Sequence, residues 1–180
     1  MDKVRRWIGG VVSATMVALL AGLAADPAGA AEPAASADAS YGPELQGFTY
    51  PFPVSYFSFT SQRQALKMAY MDVRPTGAPN GRTVVMLHGK NFCAATWEPT
   101  IPALSAAGYR VIAIDQVGFC KSSKPVSYQF SFQQLAANTR ALVRSLGVDR
   151  FILVGHSTGG MLGVRYSLMR WVRPCGRLPR

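Results

Sequence analysis

The chain has 180 residues, of which 49% are hydrophobic and 16% are charged. This length and composition suit one compact domain and exclude a wholly disordered chain, which would carry more charge and fewer apolar residues. The formal net charge is +10. Five arginines near the carboxyl terminus supply half of it: Arg165, Arg170, Arg173, Arg177 and Arg180. Because the basicity is concentrated there and no nucleic-acid motif occurs, we expect no nucleic-acid partner.

Residues 1–30 have the composition of an export signal: a basic start, an apolar stretch over residues 7–23 and small residues up to Ala30. We expect cleavage near Ala30, a secreted or periplasmic protein, and no stable membrane insertion after cleavage. An uncleaved anchor is the alternative, but glycine and serine interrupt the stretch, which is short beside the roughly 20 apolar residues of a spanning helix. Residues 31–47 are small, polar and proline-containing, and are expected to form a flexible mature tail.

Strands are predicted first in the domain that follows, which we place at residues 48–169. Residues 54–60 and 65–73 are rich in aromatic and β-branched residues and are joined by a short polar segment, which is typical of an antiparallel hairpin. Three short, continuous apolar runs come later, at 83–87, 111–114 and 151–154. Runs of this kind are typical of strands buried on both faces of a parallel sheet.

Helical patterns separate the apolar runs. We predict one helix at about 100–107 and a second from Ser131 to Gly147, with Gln134 completing a capping box at its start. The second helix has a clear apolar face, so we expect it to pack in the core and to carry no chemistry. A third helix is predicted at 161–169. The alternation of strands and helices predicts an α/β fold with helices on both faces of the sheet.

The sequence Gly-His-Ser-Thr-Gly-Gly follows the last predicted strand directly, at residues 155–160. A Gly-x-Ser-x-Gly pattern between a strand and a helix predicts a sharp turn that holds the serine hydroxyl above the sheet. Gly155 and Gly159 are small enough to let the strand and the helix come close together. Ser157 is therefore the candidate nucleophile, the alternative being an ordinary turn serine. A phosphate-binding loop is disfavoured because no Gly-Lys-Ser/Thr sequence is present.

Two of the three cysteines, Cys93 and Cys120, each follow a predicted buried strand by a few residues. In an oxidising compartment this placement favours a Cys93–Cys120 disulfide across two loops, with Cys175 left over. Two small buried cysteines are the alternative. Since the cysteines and the two histidines show no ligand spacing, we expect no metal site, and no cofactor motif is visible.

Ligands of parallel sheets bind beyond the carboxyl ends of the strands, where three loops of this chain meet. The loops carry the His88-Gly89 pair, the stretch 115–123, and the turn 155–160. In their order and spacing these motifs resemble the α/β-hydrolase family. The resemblance implies a three-layer sheet with an amino-terminal antiparallel hairpin, truncated here after the helix that follows the nucleophile. It also implies a small-molecule acyl substrate, whose ester or amide carbonyl the serine attacks to form an acyl-enzyme.

The resemblance assigns roles by position. Ser157 would be the nucleophile, and the backbone N–H of Thr158 would be one oxyanion donor. The second donor would come from Lys90 or Asn91, which follow the His-Gly pair.

Four neighbouring residues would shape the site without reacting. His156 is expected to point away from the nucleophile and to pack at the strand end. His88 is expected to brace the loop that begins at Gly89. Asp115 precedes the nucleophile in the chain, whereas the family places its triad acid after it, so we expect Asp115 to organise its own loop.

No Asp, Glu or His follows Ser157 in the printed chain. The family's order places the acid and then the histidine beyond the nucleophile, so we expect the chain as given to be nearly inactive. Residues 170–180 are rich in Arg, Pro and Gly and are expected to be an aberrant or disordered basic tail, from a frameshift near Met169 or as a natural short end. A non-catalytic binding module stays open as an alternative. So does a complete protein that cleaves a carbon–carbon bond or a peptide amino terminus.

Overall fold

The computed structural model describes the backbone of residues 41–171. The expected export signal, the first part of the expected mature tail and most of the basic segment 170–180 lie outside the described residues. Within residues 41–171, no helix is both long enough and apolar enough to cross a membrane.

Five strands form one mixed sheet: β1 (Val54–Ser61), β2 (Gln64–Val73), β3 (Thr83–Leu87), β4 (Arg110–Ile114) and β5 (Ile152–Gly155). Their order across the sheet is β1-β2-β4-β3-β5. β1 pairs antiparallel with β2, and β2 pairs antiparallel with β4. β3 pairs parallel with both β4 and β5. The prediction of a hairpin followed by parallel strands is confirmed, within one residue at each strand end.

The turn between β1 and β2 contains only two residues, Gln62 and Arg63, with φ angles of 49° and 61°. Two consecutive positive φ angles define a type I′ turn, whose twist matches the right-handed twist of the strands it joins. The hairpin thus has a fixed register, in which Ser61 faces Gln64. This register places the side chain of Ser61 among buried polar groups below the start of a helix.

Three α-helices cover the sheet: α1 (Thr100–Ala106), α2 (Phe132–Ser145) and α3 (Thr158–Trp171), with a short 3₁₀ helix at Ala94–Trp97. Alternate residues of the central strands face opposite sides. Val85 and Leu87 of β3 pack in one core with α2 and α3. Val84 and Met86 pack in the other with α1 and the 3₁₀ helix. The predicted three-layer arrangement is therefore confirmed.

The start of α2 differs in one respect from the prediction. The Oγ of Ser131 accepts a hydrogen bond from the backbone N–H of Gln134, at 3.1 Å, as an N-cap does. The side chain of Gln134 does not reach back to complete a capping box. Its Nε2 donates instead to Ser61 Oγ at 3.1 Å and to Asn138 Oδ1 at 2.9 Å. The capping-box prediction is wrong because these bonds to β1 and to the next turn of α2 orient the side-chain amide, and its Oε1 does not accept the backbone N–H of Ser131.

Residues 41–47 lie against the domain, although the sequence assigns them to a flexible tail. The Nζ of Lys121 donates to the carbonyl oxygen of Leu45 at 2.9 Å. Lys67 Nζ and Glu44 Oε2 form an ion pair at 2.8 Å. An exposed pair of this kind contributes at most about 1 kcal/mol, so the contact from Lys121 is the more informative one. It attaches this segment to the loop that follows β4.

Candidate active site

Ser157 lies between β5 and α3 with φ of 52°, in the left-handed region that residues other than glycine rarely adopt. Such strain persists only where the surroundings enforce it. The surroundings here are backbone contacts. A Cβ added to Gly155 would lie 2.4 Å from the carbonyl oxygen of Gly159, and one added to Gly159 would lie 2.2 Å from that of Leu87. Glycine at both positions therefore allows the strand and the helix to approach closely enough to form the turn.

Backbone hydrogen bonds close the turn from both sides. The N–H of Gly159 donates to His156 O at 2.8 Å, and that of Gly160 donates to Ser157 O at 2.9 Å. No described residue accepts a hydrogen bond from the N–H of Thr158. This free donor is at the amino-terminal end of α3, where the helix dipole is positive. It suits the role of an oxyanion donor.

The loop after β3 forms a turn from Gly89 to Phe92, closed by a hydrogen bond of 3.2 Å from Phe92 N to Gly89 O. Asn91 has φ of 66° whereas Lys90 does not have a positive φ, which together define a type II turn. Among residues 41–171, no group accepts a hydrogen bond from the backbone N–H of Lys90 or of Asn91. Two further donors are thus available beside the nucleophile turn.

The turn that begins at Gly89 packs directly on the nucleophile turn. A Cβ added to Gly89 would lie 2.8 Å from Nδ1 of His156 and 3.2 Å from Cβ of Ser157. The structure therefore brings the predicted nucleophile and the predicted oxyanion loop into contact. The loop and the Thr158 N–H flank the same serine.

His88 links the β3 loop to the β4 loop. Its Nε2 accepts the backbone N–H of Gln116 at 3.0 Å, so Nδ1 must carry the proton, and it donates to Gly89 O at 2.8 Å. Burial lowers the pKa of His88. Both ring nitrogens are hydrogen-bonded to the backbone and the ring stays neutral at neutral pH, so His88 connects the two loops and has no ring nitrogen free to accept a proton.

Asp115 is fully buried and connects more than its own loop. Its carboxylate accepts hydrogen bonds from Tyr50 Oη at 2.6 Å, from Ala94 N at 2.7 Å and from Lys121 N at 3.1 Å. Burial, and next the charge of Asp115, raises the pKa of Tyr50 well above its usual range. The phenol thus stays protonated and remains a donor. Asp115 holds together the amino-terminal segment, the end of the oxyanion loop and the β4 loop.

Cys93 and Cys120 form a disulfide between the same two loops, with their Cα atoms 5.8 Å apart. In the part of the chain that the structure describes, Cys93, Asp115 and Cys120 also form a group of potential metal-ligand atoms. Both sulfur atoms are bonded to each other and the carboxylate already accepts three hydrogen bonds. The group is therefore a covalent and hydrogen-bonded clamp between the loops.

His156 adjoins the nucleophile in sequence and is exposed. Its ring packs edge to face on that of Phe92, with ring centroids 5.2 Å apart. This contact supports the loop turn at the surface of the domain.

A cleft of about 380 Å³ lies between α2 and α3 beside the two turns. Lys90 and Thr158 form part of its wall, and its other wall residues include Gly118, Phe119, Phe130, Phe132, Leu135 and Leu162. We call it the α2–α3 cleft. Sequence reasoning assigned α2 to core packing alone and missed this cleft. The aromatic pair at 130 and 132, on either side of the helix N-cap, was the available signal.

Comparison with known proteins gives the family. The model of the alpha/beta hydrolase fold family matches residues 82–175, just over half of the chain. Epoxide hydrolase B of Mycobacterium tuberculosis is 36% identical over 95 residues, which are 52% of this chain and 26% of that protein. Fluoroacetate dehalogenase of a Burkholderia species is 39% identical over 93 residues, which are 49% of this chain and 30% of that protein.

A crystal structure of a "probable hydrolytic enzyme" from Pseudomonas aeruginosa PAO1 shares 65% sequence identity with this chain. It superimposes with a TM-score of 0.70, covering 72% of this chain and 41% of that one. The chain thus spans between about a quarter and two fifths of the length of these relatives. On the family match, the fold and these likenesses, the chain belongs to the α/β-hydrolase fold family.

Proposed function

We propose that this chain carries the nucleophile and the oxyanion donors of a hydrolase that acts on an ester or amide through an acyl-enzyme. The observation that supports this most is the geometry around Ser157. A serine with positive φ stands at the start of α3, in contact with a second turn, and backbone N–H groups without described acceptors lie on both sides. Such an arrangement is suited to a developing oxyanion.

The reaction would form one bond and break another. A general base takes the proton of Ser157 Oγ as the oxygen attacks the carbonyl carbon, and the carbonyl electron pair moves onto oxygen; for the described residues alone, that base is solvent or an added base such as imidazole. Thr158 N–H and the N–H of Lys90 or Asn91 then donate to that oxygen. The protonated base returns its proton to the leaving oxygen or nitrogen as the intermediate collapses, which releases the alcohol or amine and leaves an ester on Ser157 that water later cleaves. Each oxyanion donor typically stabilises the transition state by about 2.7–4 kcal/mol.

The identity of the nucleophile favours a carbonyl substrate over the substrates named for two relatives. An alkoxide that opened an epoxide or displaced fluoride from carbon would become an ether, which water does not cleave. A serine attached in that way would be lost after one turnover. Attack on a carbonyl instead gives an ester, which the same oxyanion donors help to hydrolyse.

The proton of Ser157 has no acceptor of the usual kind within residues 41–171. His88 has both ring nitrogens committed to the backbone, and His156 packs on Phe92. No Asp, Glu or His follows Ser157 in the printed sequence. We therefore propose that the chain as printed reacts slowly, since an unassisted hydroxyl is a weak nucleophile.

Labelling with a fluorophosphonate, followed by intact mass and peptide mapping, tests this proposal. We expect slow labelling of Ser157 that accelerates as imidazole is added as an external base, and no labelling of this peptide in Ser157→Ala. A Ser157 that stays unlabelled at high imidazole, in a folded protein, would contradict the nucleophile assignment. That result would favour a non-catalytic binding module on the same scaffold.

Export of the chain belongs to the same proposal. The composition of residues 1–30 and the Cys93–Cys120 bond both support an oxidising compartment, where disulfides persist. Amino-terminal sequencing of protein recovered from the periplasm or the medium should begin near residue 31. Protein that stays in the cytoplasm with residues 1–30 attached would contradict export.

A further inference from the structure

The α2–α3 cleft adjoins the candidate oxyanion donors, because Lys90 and Thr158 both contribute to its wall. A carbonyl held at those N–H groups would place one of its substituents beside the cleft. The occupant of the cleft is then a part of the substrate itself.

The wall of the cleft is almost wholly apolar. Three phenylalanines, Phe119, Phe130 and Phe132, supply its aromatic part. No acidic side chain contributes to it, and His88 on the wall is neutral, since burial lowers its pKa and both ring nitrogens are hydrogen-bonded. Lys90 is the one wall residue that carries a charge, and it is exposed to solvent. A cationic group would lose much of its hydration in the cleft without gaining a partner, and an anionic group could pair only with this solvated ammonium. The wall therefore favours an uncharged, apolar group.

The size of the cleft limits that group. A cavity of about 150 Å³ lined by apolar side chains is enough to hold benzene. The α2–α3 cleft, at about 380 Å³, has room for a group on the order of twice that size.

Phe130 owes its position to Gly118 in the β4 loop. Gly118 has φ of 93°, and a Cβ added to it would lie 2.9 Å from Cε1 of the Phe130 ring. The ring thus lies on bare backbone at one side of the cleft, while Leu135 from the first turn of α2 contributes the wall beside it. These two side chains are placed to limit the length of the group that enters.

We infer that the α2–α3 cleft is the subsite for an uncharged aliphatic or aromatic acyl group, with Phe130 and Leu135 as the residues that set its size limit. This inference rests on the proposed function, because it names the part of the substrate that the site holds. It goes beyond that function by selecting hydrophobic esters or amides over small polar ones.

A binding series tests the inference without any chemistry at the serine. The protein is the full chain carrying Ser157→Ala, and the ligands are methyl ketones from 2-butanone to 2-undecanone, titrated by NMR. We expect affinity to rise by about fourfold for each added methylene that becomes buried, and to level off once the cleft is full. Affinity independent of chain length would overturn the inference.

Two matched tryptophan variants locate the binding. Leu135→Trp fills the cleft and should weaken 2-nonanone at least tenfold while leaving 2-butanone little changed. Val164→Trp adds the same side chain to the exposed face of α3, away from the cleft, and should change neither. Equal effects of the two variants would overturn the assignment. Should Leu135→Trp fail to fold, Phe130→Ala tests the same wall: the affinity should then level off at a longer chain, and an unchanged limit would contradict the inference.

The outcomes separate the inference from the proposed function. Ketone binding uses no reaction at Ser157, and fluorophosphonate labelling uses no group that fills the cleft. Labelling without length-dependent binding refutes the subsite alone. Length-dependent binding without labelling refutes the nucleophile alone.

Discussion

Two regions of the molecule meet at Ser157: the loops after β3 and β4, and the surface formed by β5 and α3. They differ in the contacts that hold them. The two loops are joined by a disulfide, by the buried carboxylate of Asp115 and by the ring of His88. On the other side, large apolar side chains are exposed: 43% for Ile152, 58% for Met161 and 63% for Val164. β5 also has only one described neighbour in the sheet, β3.

The candidate site needs fixed oxyanion donors and a fixed nucleophile turn, and different contacts supply each. The oxyanion donors must be fixed before substrate arrives, because their value comes from preorganisation. The loops that carry them are accordingly connected to each other several times over. The nucleophile turn is fixed by backbone contacts from Leu87 and Gly89 on its β3 side. Changes on the β3 and β4 side should therefore be costly, and changes on the exposed side of α3 should not.

Replacing Gly159 by alanine should have the largest effect. Its Cβ would lie 2.2 Å from Leu87 O and 2.6 Å from His88 O, so backbone must move. We expect a loss of about 4 kcal/mol or more in the free energy of unfolding, above the usual 1–3 kcal/mol of overpacking. Gly160→Ala is the matched control, because its nearest contact would be 3.6 Å away, and it should be neutral or stabilising. Chemical denaturation gives the free energy of unfolding of both variants. Equal values would contradict the claim that backbone contacts with β3 fix the nucleophile turn.

Removal of the disulfide should come next. Cys93 and Cys120 are 27 positions apart, and closing a loop of that length stabilises a fold by about 3.5 kcal/mol on the chain-entropy model. The double variant Cys93→Ala/Cys120→Ala should lose about this much in denaturant titrations. It should also exchange the amides of residues 89–93 faster in deuterium. Unchanged exchange in that segment would show that the hydrogen bonds of Asp115 and His88 hold the loop without the bond.

A third effect depends on pH. Burial lowers the pKa of His88, so the unfolded chain takes up a proton below its ordinary pKa of about 6.5 while the folded chain does not. The contribution of His88 to the free energy of unfolding is fully present above that pH. It is lost as the pH drops, by up to about 1.4 kcal/mol between about pH 7.5 and about pH 5.5. His88→Gln should reduce this pH dependence, whereas His156→Gln should retain it. Loss of the dependence in both variants or in neither would contradict the assignment.

The smallest effect is expected on the exposed face of α3. Met161→Gln changes an exposed side chain and should alter stability by no more than about 0.5 kcal/mol. Leu162 is its neighbour in sequence but is only 2% exposed, so Leu162→Ala should cost about 2–5 kcal/mol. Thermal melts of the two variants give the contrast. A large loss from Met161→Gln would mean that this face is covered in the folded protein.

Local patterns were enough to predict the strands and the turn. The predicted run 83–87 matches β3 residue for residue, because a strand whose residues 84–87 are buried on both faces shows a continuous apolar sequence there. The predicted sharp turn at Ser157 has the positive φ that such a turn requires. The three converging loops followed from the rule that sites of parallel sheets lie at the carboxyl ends of their strands.

Features set by distant contacts could not be predicted in the same way. α3 begins at Thr158 and not at 161, since tertiary packing of the turn on β3 overrides the weak helix propensity of Gly159 and Gly160. The first turn of α2 lines a cleft because Phe130 rests on Gly118, a contact that no periodicity encodes. Asp115 was assigned to its own loop, whereas the hydrogen bond from Tyr50 crosses 65 positions of the chain.

The acylation rate of a thiol at position 157 is the most direct test of the central claim, that this turn and its N–H donors form an acyl-transfer site. A cysteine needs no added base to react, so Ser157→Cys examines the donors by themselves. Ser167→Cys, on the exposed side of the same helix, is the control. The substrate is p-nitrophenyl acetate, acylation is detected by intact mass, and each rate is corrected for the fraction of that thiol that is ionised. We predict that the thiol in Ser157→Cys is acylated at least about a hundredfold faster than the thiol in Ser167→Cys, which is the value of one oxyanion donor. Equal rates at the two positions would contradict the account.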